Sequence, residues 1–155
     1  MIEIHETFDA KLLADLNEEI QTFHHLAYPE IFKPYNRETI RGFFKSALEH
    51  ENVHVFVAIQ AEVVLGYVLI FMVDFKENPF QYSRRYILLD QVAVIEKYRG
   101  RGVGSTLLNK VFEFAKSISI NEIELNHWTI NGSARKFFKK NGFEYFNEKM
   151  RLKLD

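Results

Sequence analysis

The 155-residue sequence has no cysteine, only three prolines and only seven glycines. Without cysteine there is no disulfide framework, no zinc–thiolate centre and no thiol nucleophile to carry an acyl-enzyme. The same absence fits a reducing compartment. An excess of either charge is also missing. Twenty basic residues against 21 acidic ones leave a formal net charge of −1, which gives nucleic acid or an anionic membrane no global attraction. The opening residues, MIEIHETF, show neither the basic nor the apolar region of a signal peptide. The longest apolar run, VVLGYVLIFMV at 63–73, is too short for a membrane helix and rich in β-formers, so it reads as a buried strand. These absences lead us to expect no nucleic-acid partner, no membrane partner and a cytoplasmic location.

What is present reads as one globular unit spanning 1–155. Hydrophobic residues make up 47% and charged residues 26%, with 15 Phe and seven Tyr, enough to bury a core at this length. IEIHETF alternates like a strand. From Asp9, a plausible N-cap, the residues Leu12, Leu13, Leu16, Ile20 and Phe23 follow a helical period. Two prolines in YPEIFKPYN break that helix, and RETIRGFFKSALEH suggests a second. VHVFVAI and VVLGYVLIFMV read as a hairpin, KENPFQYSRR as a loop and YILLDQVAV (86–94) as a strand. A third helix follows in TLLNKVFEFAKSI. Then come a strand in EIELNHW (122–128), a short helix in SARKFFKKNG with Gly142 just past its end, and a final alternating strand in KMRLKL (149–154). The order β-α-α-β-β-β-α-β-α-β predicts an α/β (mixed α+β) fold. Its mostly antiparallel sheet contains one βαβ crossover and is flanked by about four helices.

Three of the seven glycines fall within YRGRGVGSTLL, between two arginines and the start of a helix. A glycine in a connection signals positive φ or close approach by another group, and ahead of a helix that group is often a phosphate. A tight strand-to-helix turn is the plainer account. The phosphate reading adds that the amides of residues 101–105, the helix end and the charges of Arg99 and Arg101 would converge on one anion. The P-loop string GxxxxGK[ST] is absent. The dinucleotide string GxGxxG fails at its third glycine, although Glu122 and Glu124 lie near the distance it requires. A Rossmann-like nucleotide-binding regulator is therefore a weak third reading.

The string that fits is R-x-x-G-x-G at Arg99, Gly102 and Gly104. With it, LDQVAVIEKYRGRGVGSTLL and NGSARKFFKKNGF resemble two separated motifs of the GNAT superfamily of N-acetyltransferases. The likeness is strong over about 86–146 and loose before 50. It implies the GNAT fold, in which two parallel strands splay apart, and acetyl-CoA as co-substrate. It also implies transfer of the acetyl group to a primary amine of a small molecule or peptide, by direct attack in a ternary complex. A homodimer is implied by the same analogy. The alternative from another class is a non-catalytic acyl-CoA-binding module.

Carried over position by position, the resemblance gives Val92, Ala93 and Val94 to the pantetheine arm at the splay. Arg99, Gly100, Arg101, Gly102, Val103, Gly104 and Ser105 go to the diphosphate, and Asn131 to pantetheine or diphosphate, with an N-cap role as the simpler account of Asn131. The family's frequent tyrosine, its presumed general acid, falls on Phe138, which has no proton to give. Tyr145 and Tyr98 are the candidate substitutes. An amine with a pKa near 10.4 must lose a proton before attack. Asp90 is the first candidate base, on the strand face shared with Val92 and Val94 and opposite Gln91, and a structural hydrogen bond is its rival role. His127 is the second candidate. His24 and His25 point apart on a helix and make a poor metal pair, so no metal is expected. In the family the acceptor lies against the first two helices and their loop. Here that loop offers His25, Tyr28, Glu30, Phe32 and Tyr35, residues that would equally suit a packed helical corner.

Overall fold

The computed structural model describes residues 1–154. An Asp9 carboxylate oxygen accepts from the amides of Lys11 and Leu12 and starts helix α1, Ala10–Ala27. Asn36 does the same for α2, Arg37–Ala47, by accepting from the Thr39 amide. Strand β1, Glu3–Glu6, precedes them. After them come β2, Val53–Gln60, β3, Val63–Phe75, and β4, Arg84–Val94. A 3-10 turn at Glu96–Tyr98 leads to α3, Val103–Ser117. The last elements are β5, Ile123–Leu125, and α4, Gly132–Lys140.

The five strands form one sheet in the order β1-β2-β3-β4-β5. All pairs are antiparallel except β4 and β5, which run parallel across the α3 crossover. Both faces are covered. On one, Leu13 and Phe44 from α1 and α2 pack on Val55, Val57, Tyr67 and Leu69. On the other, Leu107, Leu108 and Val111 of α3 pack on Phe56, Val68, Ile70, Ile87 and Leu89. Burying a side chain of this size stabilises by roughly 1.5–3 kcal/mol, so the sheet is clamped through its middle strands.

The mixed fold, the mostly antiparallel sheet and the four helices agree with the sequence expectation. Two differences bear on function. The strand expected over 122–128 pairs only at 123–125. The strand expected over 149–154 does not form, and residues 143–154 join no helix or strand. Alternation supplies a strand's side-chain pattern but not the partner edge that makes it a strand.

Candidate functional site

The β4–β5 ladder stops at Leu89 and Leu125, while β4 runs on to Val94 against β3. From Asp90 to Val94, β4 therefore presents an edge without a β5 partner. Val92, Ala93 and Val94 are half-buried along it, where backbone groups shut away from water would cost about 1–3 kcal/mol each if left unpaired. Gly66 on β3 makes this end possible. A Cβ there would sit 2.3 Å from the Ala93 carbonyl oxygen, so only glycine lets β3 pass so close. Sequence reasoning assigned Gly66 no role. Its one signal was a glycine inside an apolar strand run, which marks close backbone approach.

A bulge starts where the ladder ends. The β3–β4 register shifts between Leu69 and Ile70, which face Gln91 and Leu89 and leave Asp90 over. The shift breaks alternation. Ile87, Leu89, Val92 and Val94 all pack toward α3, so Asp90 does not share the Val92–Val94 face by parity, as simple alternation had it. Gln91 points toward α1 as expected of the opposite face. Asn17 Nδ2 donates to Tyr67 Oη at 2.9 Å and to Gln91 Oε1 at 3.3 Å, and Tyr67 Oη donates to Gln91 Oε1 at 2.6 Å. Asn17 is buried, and burial raises the Tyr67 phenol above its ordinary pKa, with the Asp90 charge adding to the effect. Asp90 has an outer surface open to solvent. The protein around the bulge nonetheless desolvates it and raises its carboxyl above the usual range, against a smaller lowering by the Gln91 amide. Sequence reasoning missed Asn17 and Tyr67. The available signal was a polar residue on the buried stripe of α1, four positions after Leu13.

The glycine loop leads away from the same end of β4. Gly100 and Gly102 have φ of +74° and +83°, and a Cβ on either would meet nothing within 4 Å. Conformation, not space, demands glycine at these two positions. Gly104 differs: its Cβ would fall 2.9 Å from the Phe137 ring, so it lets α3 pack on α4. Gly102 is the N-cap of α3 and offers no side-chain acceptor. The first-turn amides, from Val103 onward, thus point out of the helix toward the loop without a cap, at its positive end. Such a cradle fits a diphosphate. Arg99 is held by the fold, donating from Nε to the Val94 carbonyl at 2.8 Å and from Nη2 to Glu19 at 3.1 Å. Arg101 is exposed and lies over the Tyr98 ring, 5.7 Å from its centroid. Asn131 caps α4, its Oδ1 accepting from the Ala134 amide at 3.0 Å.

Across the opening from the bulge, the chain leaves β5 through His127 and Trp128. His127 stacks on Phe138, with centroids 6.3 Å apart and planes 20° apart, and its Nε2 lies 3.4 Å from the Tyr145 hydroxyl. Tyr98 is elsewhere, at the glycine loop. Of the acceptor-side candidates, Tyr28 and Phe32 meet Trp128, each at a centroid separation of 4.9 Å, which makes Trp128 a further missed residue. Phe32 also stacks on His24 at 4.7 Å, whose imidazole pKa burial lowers. The other candidates are not brought into this cluster. His25 Nδ1 bonds the Phe32 carbonyl at 2.7 Å. Tyr35 donates to the Ala14 carbonyl at 2.9 Å, and burial raises its phenol. Glu30 faces Arg151 and Lys153 at 3.4 and 3.3 Å. Its own backbone amide, with Lys153 and Arg151, holds its carboxyl below the ordinary range. Among the described residues no group of three or more His, Asp or Glu could hold a metal ion, and no helix is long and apolar enough to cross a membrane.

A family profile described as the Acetyltransferase (GNAT) family matches residues 16–143. Streptothricin acetyltransferase A of Bacillus subtilis is 40% identical over 58 residues, 37% of this chain and 34% of that protein. An uncharacterized N-acetyltransferase of Methanocaldococcus jannaschii, MJ1207, is 38% identical over 62 residues, 40% of this chain and 27% of the other. The matched stretch thus spans about a third or less of either relative's length. In three dimensions, the crystal structure of a tetramutant of the BH1408 protein from Bacillus halodurans superposes with a TM-score of 0.91 at 24% identity. It covers 98% of this chain and 99% of that one. AAC(6')-Iy, solved with a CoA–acetylneamine bisubstrate analogue, has a TM-score of 0.78 at 14% identity, covering 100% and 99%.

Proposed function

The chain belongs to the GNAT family of acetyltransferases, and from that membership we propose that it moves an acetyl group from acetyl-CoA to a primary amine of a small molecule or peptide. Attack is direct, in a ternary complex, because the sequence offers no cysteine to carry the acyl group. The observation that carries this reading is the opening of β4 from β5 beyond Leu89, on the strand that leads into an uncapped helix start approached through two positive-φ glycines. Acetyl-CoA supplies an activated acyl carbon on a thiol leaving group.

The residues divide the work. The amides at the start of α3, with Gly100, Gly102 and Ser105, hold the diphosphate, and Arg101 adds charge. Arg99 acts mainly by fixing the end of β4 through Val94. The unpaired edge of Val92, Ala93 and Val94 binds the pantetheine amides as a strand would. Asn131 spends only its carbonyl oxygen on the cap, so its amide nitrogen can donate to the same arm. Asp90 takes the proton from the ammonium, its raised pKa bringing it nearer the working pH of a general base. Phe138 packs without donating. The Tyr145 hydroxyl, 3.4 Å from His127 Nε2, donates to the departing thiolate in its place. Tyr28, Phe32 and Trp128 form the aromatic wall against which the acceptor lies.

Phe138 also favours a second reading, an acyl-CoA-binding module that does not turn over. Free-thiol release from acetyl-CoA across a panel of amines separates the two. Turnover with at least one amine supports the transferase, while tight CoA binding with no thiol release across the panel favours the module. Loss of CoA binding in Gly102→Val with an unchanged circular dichroism spectrum is expected under both readings. Normal affinity in that variant would contradict the diphosphate site itself.

A further inference from the structure

The short turn between Val94 and Arg99 joins the open edge of β4 to the glycine loop. Ile95 stands at the start of its 3-10 segment and has no polar side chain with which to cap it. The brace comes from another element. Glu19, in the middle of α1, accepts the Glu96 amide on Oε2 at 3.0 Å. The same oxygen accepts from Arg99 Nη2 at 3.1 Å, while Arg99 Nε donates to the Val94 carbonyl at 2.8 Å. One carboxylate oxygen thus ties both ends of the 3-10 segment and, through the guanidinium, the last residue of β4.

The Glu19 and Arg99 side chains are about half exposed, and an ion pair in such a setting adds little to global stability. Its place matters more than its strength. On one side of the turn lies the edge of Val92, Ala93 and Val94, and on the other the cradle from Gly100 to Ser105. A ligand long enough to use both gains most when binding at one half delivers the other at a fixed separation. Helix α1 is a firm base for setting that separation, since its Leu13 and Ala14 are fully buried. Two residues before Glu19, Asn17 donates to Gln91 at the bulge. The helix therefore holds the segment 91–99 near both its ends, at Gln91 and at the turn.

We propose that Glu19 is a positioning residue for the cofactor: by bracing the Val94–Arg99 turn from α1, it sets the pantetheine edge and the diphosphate cradle at the separation that one CoA molecule spans. It acts through Arg99 and the Glu96 amide and not by contact with the thioester. The inference rests on the acetyl-CoA reading above and adds to it a residue outside the two motifs that carry the family likeness.

The test is calorimetric titration with CoA of the unaltered chain, Glu19→Ala, Glu19→Gln, Arg99→Ala and the Glu19→Ala/Arg99→Ala pair, beside thermal melts without ligand. Glu19→Ala should weaken CoA binding on the order of tenfold. The same change should lower the unliganded melting temperature by no more than about 4 °C. A residue that only supports the fold would do the reverse. Glu19→Gln keeps an oxygen for the Glu96 amide but loses the charge facing Arg99, so its loss should fall between, about threefold. The paired variant should lose less than the product of the two single losses, because both act through one contact. CoA affinity unmoved in Glu19→Ala, or losses that simply multiply in the pair, would overturn the proposal. Should Glu19→Ala fold poorly, Glu19→Gln decides, and unchanged affinity there overturns it as well. An unaltered chain that binds no CoA would instead sink the acetyl-CoA reading, and this inference with it.

Discussion

Asp90 is an ionisable group held in a place that disfavours its charge. Its folded-state pKa is raised by burial, so the native protein keeps the proton to higher pH than the unfolded chain. Stability contributed by that proton is lost as pH rises from the ordinary carboxylate range through the raised value. Above it the charge is a net burden, though a modest one because the side chain reaches solvent. Asp90→Asn should therefore raise the melting temperature slightly at neutral pH and leave it unchanged at pH below the ordinary carboxylate range. Activity should move the other way, falling by up to about 10²–10⁴-fold. The deficit should shrink as pH climbs toward the amine's own pKa and free amine becomes plentiful. A variant with a flat pH–rate ratio to the unaltered enzyme would clear Asp90 of the role. Gly66 is a second residue-scale case. Gly66→Ala drives a Cβ into the Ala93 carbonyl and should cost about 1–3 kcal/mol by overpacking, read as a lower urea midpoint. It should weaken CoA binding as well, because the displaced atoms belong to the open edge of β4.

At the scale of elements, Asn17, Tyr67 and Gln91 join α1, β3 and β4 at one buried point. Tyr67→Phe removes the hydroxyl that accepts from Asn17 and donates to Gln91, and leaves both with fewer partners. We expect a loss of about 1–3 kcal/mol in urea denaturation and a weakened hold on the bulge that carries Asp90. Most elements were legible beforehand because their signals are local. Asp9 and Asn131 announce helix starts by the chemistry of their side chains, and Gly142, at φ +89°, marks an end. The glycine loop was legible for the same reason. The bulge at Asp90 was not, since a register shift depends on how β3 meets β4 rather than on the pattern of either strand. The role of Trp128 depends on where two loops distant in sequence come together, and no spacing encodes that. The segment 149–154 misled for a physical reason: its alternation is a local pattern, while the pairing that would make it a strand is not local and does not form.

At the scale of the whole molecule, the sheet is clamped on both faces through β2, β3 and the first half of β4, and left open beyond Leu89. Such a sheet gains more from a ligand that fills the opening than from one that only touches its surface. Binding to the native state alone adds RT ln(1 + [L]/Kd), about 2.7 kcal/mol at a hundredfold excess over Kd. For a chain of this size each kcal/mol moves the melting temperature by roughly 2–4 °C. CoA at that excess should thus raise it by about 5–10 °C, whereas the same concentration of NAD should leave it nearly unmoved. In Gly102→Val the CoA shift should vanish while the unliganded melting temperature falls only by the strain of a left-handed residue, about 1–2 kcal/mol. A comparable shift with NAD would instead point to a nucleotide site at the glycine loop and count against a thioester arm in the opened sheet. The same scan at low and high ionic strength separates the diphosphate's share. Its charge interactions are screened by salt, and the hydrogen bonds along β4 are not, so part of the CoA shift should survive.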